Sequence, residues 1–137
     1  MIGHGKHVLV VDEMETMRLL LAEVLGEEGF TVVQACDGVE ALREMQQRHI
    51  DVVVTEYHMP RLNGLDLLRH SQLAWPEIPI ILFSEIEWDK NALEEARGAF
   101  AWIRKSSDPG ILLSMLALAV EQGVEWKSQH AAERIGA

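Results

Sequence analysis

The sequence predicts an α/β fold: a doubly wound, open parallel sheet with helices on both faces. Three observations carry that expectation. Short β-branched runs alternate five times with segments of helical periodicity. The strand-type runs are apolar almost throughout rather than at every second residue, which suits strands covered on both faces. The links between units are short, so each helix serves as the crossover between parallel neighbours.

The elements follow in order. His7-Val-Leu-Val-Val11 is the first strand. Met17, Leu20, Leu21, Val24 and Leu25 recur at helical spacing, and Gly29 supplies a left-handed C-cap. Phe30–Gln34 is a second, β-branched strand. Asp37 caps the next helix, Glu40 completes a capping box, and Ala41, Leu42 and Met45 form its buried stripe. Asp51-Val-Val-Val-Thr55 is the third strand, and Asn63 opens a helix reaching about Leu73. Ile78–Phe83 is the fourth strand, with Pro79 tolerated near its start. A less apolar helix spans Asp89 to Arg97 and stops at Gly98, and Ala99–Ile103 is the fifth strand. Asp108-Pro109 starts the last helix, which ends at Gly123, and residues 124–137 form a tail or the start of a connector.

Composition bounds the function. At 137 residues, 48% hydrophobic and 25% charged, the chain suits one domain with a real core. Twelve basic against 22 acidic residues leave a formal charge of -10, which repels nucleic acid phosphate and anionic lipid. The single Cys36 excludes an internal disulfide and fits a reducing cytosol. The apolar runs Ile78–Phe83 and Ile111–Val120 fall short of the roughly 20 residues that span a membrane. The first residues lack the apolar stretch of a signal peptide, so a cytoplasmic location is expected.

In doubly wound sheets ligands bind beyond the carboxyl ends of the strands. That rule places Asp12 and Glu13 after the first strand, Glu56 after the third, Ser84 and Glu85 after the fourth, and Lys105 after the fifth on one rim. A single polar residue there merely terminates a strand. Four carboxylates, a hydroxyl and a lysine together point to a site.

Those residues sit in segments with a recognisable order: Val8-Leu-Val-Val-Asp-Glu13, Ala35-Cys-Asp-Gly-Val-Glu-Ala-Leu42, Met59-Pro-Arg-Leu-Asn-Gly64, Ile78–Ser84, and Gly98-Ala99 followed by Lys105. Across roughly residues 6–122 the chain resembles the receiver domain of bacterial two-component response regulators, the CheY-like family. The resemblance implies a flavodoxin-like strand order 2-1-3-4-5 and a receiver domain over residues 1–123. It implies a role in phosphorelay signalling, in which a histidine kinase hands a phosphoryl group to an aspartate. Asp12 and Glu13 take the place of the acidic pair that holds Mg²⁺, with Glu56 as a further ligand. Glu56 stands at the phospho-acceptor position, Ser84 is the phosphoryl-binding hydroxyl, Lys105 its cationic partner and Trp102 the switch aromatic. A carboxylate nucleophile flanked by Mg²⁺ and Lys⁺ suits in-line phosphoryl transfer.

Three positions depart from the family pattern. The acceptor is normally Asp, and Glu56 carries its carboxylate on the order of 1 Å further, a displacement that can cost about 10²-fold in rate. Glu85 stands where a small residue is usual, and its charge opposes a phosphodonor. Ser106 replaces the usual Pro after the lysine, often cis in the family. A non-proline cis bond costs about 2.5–4 kcal/mol, so a trans loop and a displaced Lys105 are expected.

The remaining candidates read as packing or solvated surface. The six His, at 4, 7, 49, 58, 70 and 130, lack metal-ligand spacing, although His58 lies at the site rim. Cys36 reads as a small filler. Ile111–Val120 is apolar around nearly its whole circumference, which leaves a face for the tail or for a partner, including a second copy.

The expected function is an atypical receiver, a non-enzymatic signalling module with at most weak Mg²⁺ binding. Its expected partner is a histidine kinase or another signalling protein. The alternative is a receiver that still accepts a phosphoryl group. A nucleotide-dependent enzyme on a similar sheet fails at the first turn, because Val11–Thr16 contains no glycine to cradle phosphates.

Overall fold

A computed structural model describes residues 2–122. Five strands, β1 (His7–Val11), β2 (Thr31–Ala35), β3 (Val52–Thr55), β4 (Ile80–Phe83) and β5 (Ala101–Ile103), form one parallel sheet in the order β2-β1-β3-β4-β5. Five helices connect and follow them: α1 (Glu15–Glu27), α2 (Gly38–Gln47), α3 (Gly64–Ala74), α4 (Lys90–Glu95) and α5 (Pro109–Glu121). The alternation and the implied strand order are both present.

Strand periodicity divides the core in two. Val8, Val10, Val52, Val54 and Ile81 face Leu21 and Leu25 of α1 and Leu112, Leu116 and Ala119 of α5. Leu9, Val11, Val53, Ile80 and Leu82 face Ala41 and Met45 of α2 and Leu65, Leu67 and Leu68 of α3. The consecutive valines of β3 therefore need cover on both faces, and they have it.

The boundaries differ from the sequence expectation where hydrogen bonding decides them. β4 begins at Ile80 because Pro79 has no N–H, although its carbonyl still accepts from Val53. β5 is only three residues long, since Ala99 N–H turns back to Ala96 O. α4 is six residues, shorter than Asp89 to Arg97, and buries none of them. The capping box at α2 is half formed. Asp37 accepts from Glu40 N–H at 2.9 Å, but the Glu40 carboxylate takes the Cys36 thiol instead of returning a bond. Gly29, at φ 89°, closes α1 as expected. The stop at Gly123 and the 124–137 tail lie outside the described residues.

Candidate functional site

The backbone builds the site by carrying the sheet ladder one residue past the strand ends. Asp12 N–H donates to Ala35 O at 3.1 Å, Glu56 N–H to Val11 O at 2.9 Å, and Ser84 N–H to Ile103 O at 3.0 Å. Asp12, Glu56 and Ser84 are thereby fixed side by side at the carboxyl edge. α3 closes in behind Glu56, and only glycine allows it. A Cβ on Gly64 would lie 2.3 Å from Glu56 O and 2.9 Å from Tyr57 Cα.

Lys105 joins the carboxylates. Its Nζ lies 2.6 Å from Asp12 Oδ2 and 2.8 Å from Glu56 Oε1. The other oxygens are also engaged. Asp12 Oδ1 accepts from Met14 N–H at 2.9 Å. Glu56 Oε2 accepts from the N–H groups of Tyr57 and His58, and the buried Ser84 stands on the same edge. Arg18 holds the strand end from outside, donating to Asp12 O at 2.7 Å.

Burial raises the Glu56 pKa, but hydrogen bonds from Lys105 and Ser84, with the lysine charge, outweigh it and leave the carboxyl below its ordinary range. Burial likewise opposes the Lys105 charge, and the hydrogen bonds to Asp12 and Glu56 outweigh it, so the ammonium holds its proton beyond the usual lysine range. Both groups are therefore charged at neutral pH.

Several sequence expectations need correction. Lys105 is not displaced: the Lys105–Ser106 peptide is trans, and the side chain still spans both carboxylates. Glu13 does not join the cluster; it is exposed, since the chain turns into α1 directly after Asp12. Glu85, which is exposed, accepts from Ser106 N–H at 2.5 Å, a contact that leaves its charge in place. Trp102, 37% exposed, lines a shallow groove with Lys90, Leu93 and Arg97. Two of the scattered histidines meet. His49 Nε2 lies 2.8 Å from Asp51 Oδ1 and His7 Nδ1 lies 3.8 Å from Asp51 Oδ2, at the opposite edge of the sheet. His130 lies outside the described residues. The Cys36 thiol is pushed up by its hydrogen bond to Glu40, by burial and by the neighbouring carboxylates, so it is a poor nucleophile.

As it stands the arrangement offers Mg²⁺ no open site. Among the described residues no group of three His, Cys, Asp or Glu converges to hold a metal ion. The space between Asp12 and Glu56 holds the Lys105 ammonium. A divalent cation binds these carboxylates only if that ammonium withdraws.

Some neighbours of the site carry no signal in the sequence. Arg61, at φ 68°, is held by Asp37 at 2.7 Å and pins the loop after Glu56 to the start of α2. Tyr57 packs edge-on against both His58 and Trp88. Spacing alone does not reveal such cross-loop partners.

A five-stranded parallel sheet in this order, with a carboxylate, a hydroxyl and a lysine gathered at its carboxyl edge, defines a receiver-type signalling domain. Residues 8–117 match the response regulator receiver domain family, and the chain belongs to that family. The CAI-1 autoinducer sensor kinase/phosphatase CqsS of Vibrio cholerae is 36% identical over 118 residues, covering 83% of this chain and 17% of that protein. The transcriptional regulatory protein GlrR of Escherichia coli is 29% identical, over 85% of this chain and 26% of that protein. The chain thus matches about a sixth to a quarter of these relatives' length. Among solved structures, Vibrio cholerae CheY4 aligns at TM-score 0.79 with 27% identity, covering 84% of this chain and 98% of that one. Thermotoga maritima TrrA, in complex with Mg²⁺-BeF, aligns at TM-score 0.78 with 28% identity, covering 83% and 98%. Receiver domains are signalling domains that interact with histidine kinases and other signalling proteins. Among the described residues no helix is long and apolar enough to cross a membrane.

Proposed function

We propose that this receiver is atypical: its state is set by the Asp12–Lys105–Glu56 bridge instead of by phosphoryl transfer. The observation that carries this reading is that the longer side chain at position 56 delivers its carboxylate to Lys105, at 2.8 Å, without a phosphoryl group. Every carboxylate oxygen of Asp12 and Glu56 already accepts a hydrogen bond. Attack on phosphorus requires Glu56 to surrender these partners, and a misplacement on the order of 1 Å adds about 10²-fold. A single carboxylate supplies less charge than a phosphorylated aspartate, so any mimicry of the phosphorylated state is partial.

The module works in the cytoplasm by docking to a histidine kinase or another signalling protein. Self-association would use α5, where Ile111 and Leu118 are exposed. Mg²⁺ binds weakly, in competition with Lys105. The presence of a hydroxyl, a lysine and two carboxylates in one place favours a second reading, a receiver that still accepts a phosphoryl group slowly. Intact-mass measurement after incubation with Mg²⁺ and acetyl phosphate separates the two. The protein should gain little or no phosphoryl mass, while Glu56→Asp should gain one group. Rapid stoichiometric labelling of the unaltered protein at Glu56 would overturn the proposal.

A further inference from the structure

Glu56 is bonded to Lys105 through one oxygen; the other leads into a strip of aromatic residues outside the phosphoryl site. Oε2 accepts from the backbone N–H groups of Tyr57 and His58. This turn is clamped from behind, since Gly64 N–H donates to Tyr57 O at 2.7 Å in a space too narrow for a Cβ. A shift of the carboxylate cannot be absorbed by the turn sliding towards α3.

The Tyr57 ring reaches both ends of α4. It meets Trp88 edge-on, with centroids 6.1 Å apart and planes at 78°, and Trp88 belongs to the segment that leads from β4 into α4. The Tyr57 hydroxyl donates to Glu95 Oε2 at 3.4 Å, on the last residue of α4. The receiving end is easily moved. None of the six residues of α4 is buried, and the enclosed indole N–H of Trp88 has no hydrogen-bond partner among the described residues. Edge-to-face aromatic pairs have a preferred geometry, so displacing one ring biases the other.

We propose that Tyr57 is a positioning residue that ties the placement of α4 to the side chain at position 56 through its contact with Trp88. The surface of α4 then reports the charge and reach of that side chain, whether or not it accepts a phosphoryl group. A rival route leads to the same segment: Glu85 accepts from Ser106 N–H, next to Lys105. The two routes make different predictions.

Hydrogen exchange of the amides of residues 90–97 in the full chain tests the proposal. Glu56→Gln should accelerate exchange there by about threefold. Tyr57→Leu should do the same, and the double variant should go no further than either single change, as coupled positions do. Trp88→Leu breaks the link from the other side and should also abolish the response to Glu56→Gln. Tyr57→Phe, which keeps the ring, should preserve it. Amides of β1 and β3 in the same spectra report global stability and should show no matching change. The proposal is overturned if Glu56→Gln accelerates exchange equally in the Tyr57→Leu background. It is also overturned if α4 responds to Glu85→Ala and not to Glu56→Gln.

Discussion

Replacing Lys105 by Met removes the cation held between Asp12 and Glu56 and leaves two carboxylates facing each other. The side chains of Lys105, Asp12 and Glu56 are only 12%, 4% and 13% exposed. That burial decides the magnitude. A solvent-accessible pair at the rim would contribute only about 0–1 kcal/mol, whereas an enclosed one costs about 3–5 kcal/mol when one partner is removed. A direct estimate agrees: two unit charges roughly 5 Å apart at an effective dielectric of about 20 repel by about 3 kcal/mol. Protonating one carboxylate of ordinary pKa at pH 7 costs a similar amount, about 3–4 kcal/mol, so proton uptake offers little relief. Lys105→Met should therefore destabilise the domain by about 3 kcal/mol at pH 7, about 12 °C in Tm for a chain of this size. Near pH 4.5 a carboxylate protonates readily, and the deficit should fall below about 1 kcal/mol. Equilibrium urea unfolding at the two pH values, with an unchanged m-value, measures both quantities. A deficit under about 1 kcal/mol at pH 7, or one that is the same at both pH values, would refute the reasoning.

Two further outcomes follow from the bridge. Because the folded Glu56 carboxyl lies below its ordinary value of 4.5, its stabilisation is present above that pH and lost as pH falls through the lowered value. Glu56→Gln should thus cost about 1.5 kcal/mol at pH 7 and flatten the acid limb of a stability–pH curve, checked by urea unfolding. Lys105 has the opposite sign, and its contribution is complete below 10.5 and lost only as pH rises through its elevated value. Mg²⁺ titration followed by tryptophan fluorescence should show weak binding that strengthens in Lys105→Ala, because the ammonium no longer competes. Tight stoichiometric binding by the unaltered protein would place the cation elsewhere.

Most of the fold was legible because it rests on periodicity. The apolar runs at Val8–Val11 and Val52–Val54 demand cover on both faces, and Asn63, Asp89 and Asp108 each cap the helix they precede. The rim was legible for the same reason, since strand ends fix which residues share the carboxyl edge. What the sequence withheld was side-chain direction. Nothing in the spacing distinguishes Asp12, which turns inward to Lys105, from Glu13, which points to solvent. Ser106 suggested a displaced lysine, yet with a trans peptide Lys105 still reaches the buried Asp12 and the half-buried Glu56. Tyr57 and Trp88, or His7 and His49, meet only because distant loops are brought together, and local pattern does not encode such pairs.

The proposed function turns on whether position 56 holds its state without a phosphoryl group. The most direct measurement compares amide spectra of the unaltered protein and Glu56→Asp, all in the same Mg²⁺ concentration, with and without beryllofluoride, the group bound with Mg²⁺ by the Thermotoga maritima neighbour. Superimposable spectra are expected for the unaltered protein, and shifts at residues 84–89 and 101–107 in Glu56→Asp. Saturable shifts at those residues in the unaltered protein, at the concentrations that affect Glu56→Asp, would contradict it.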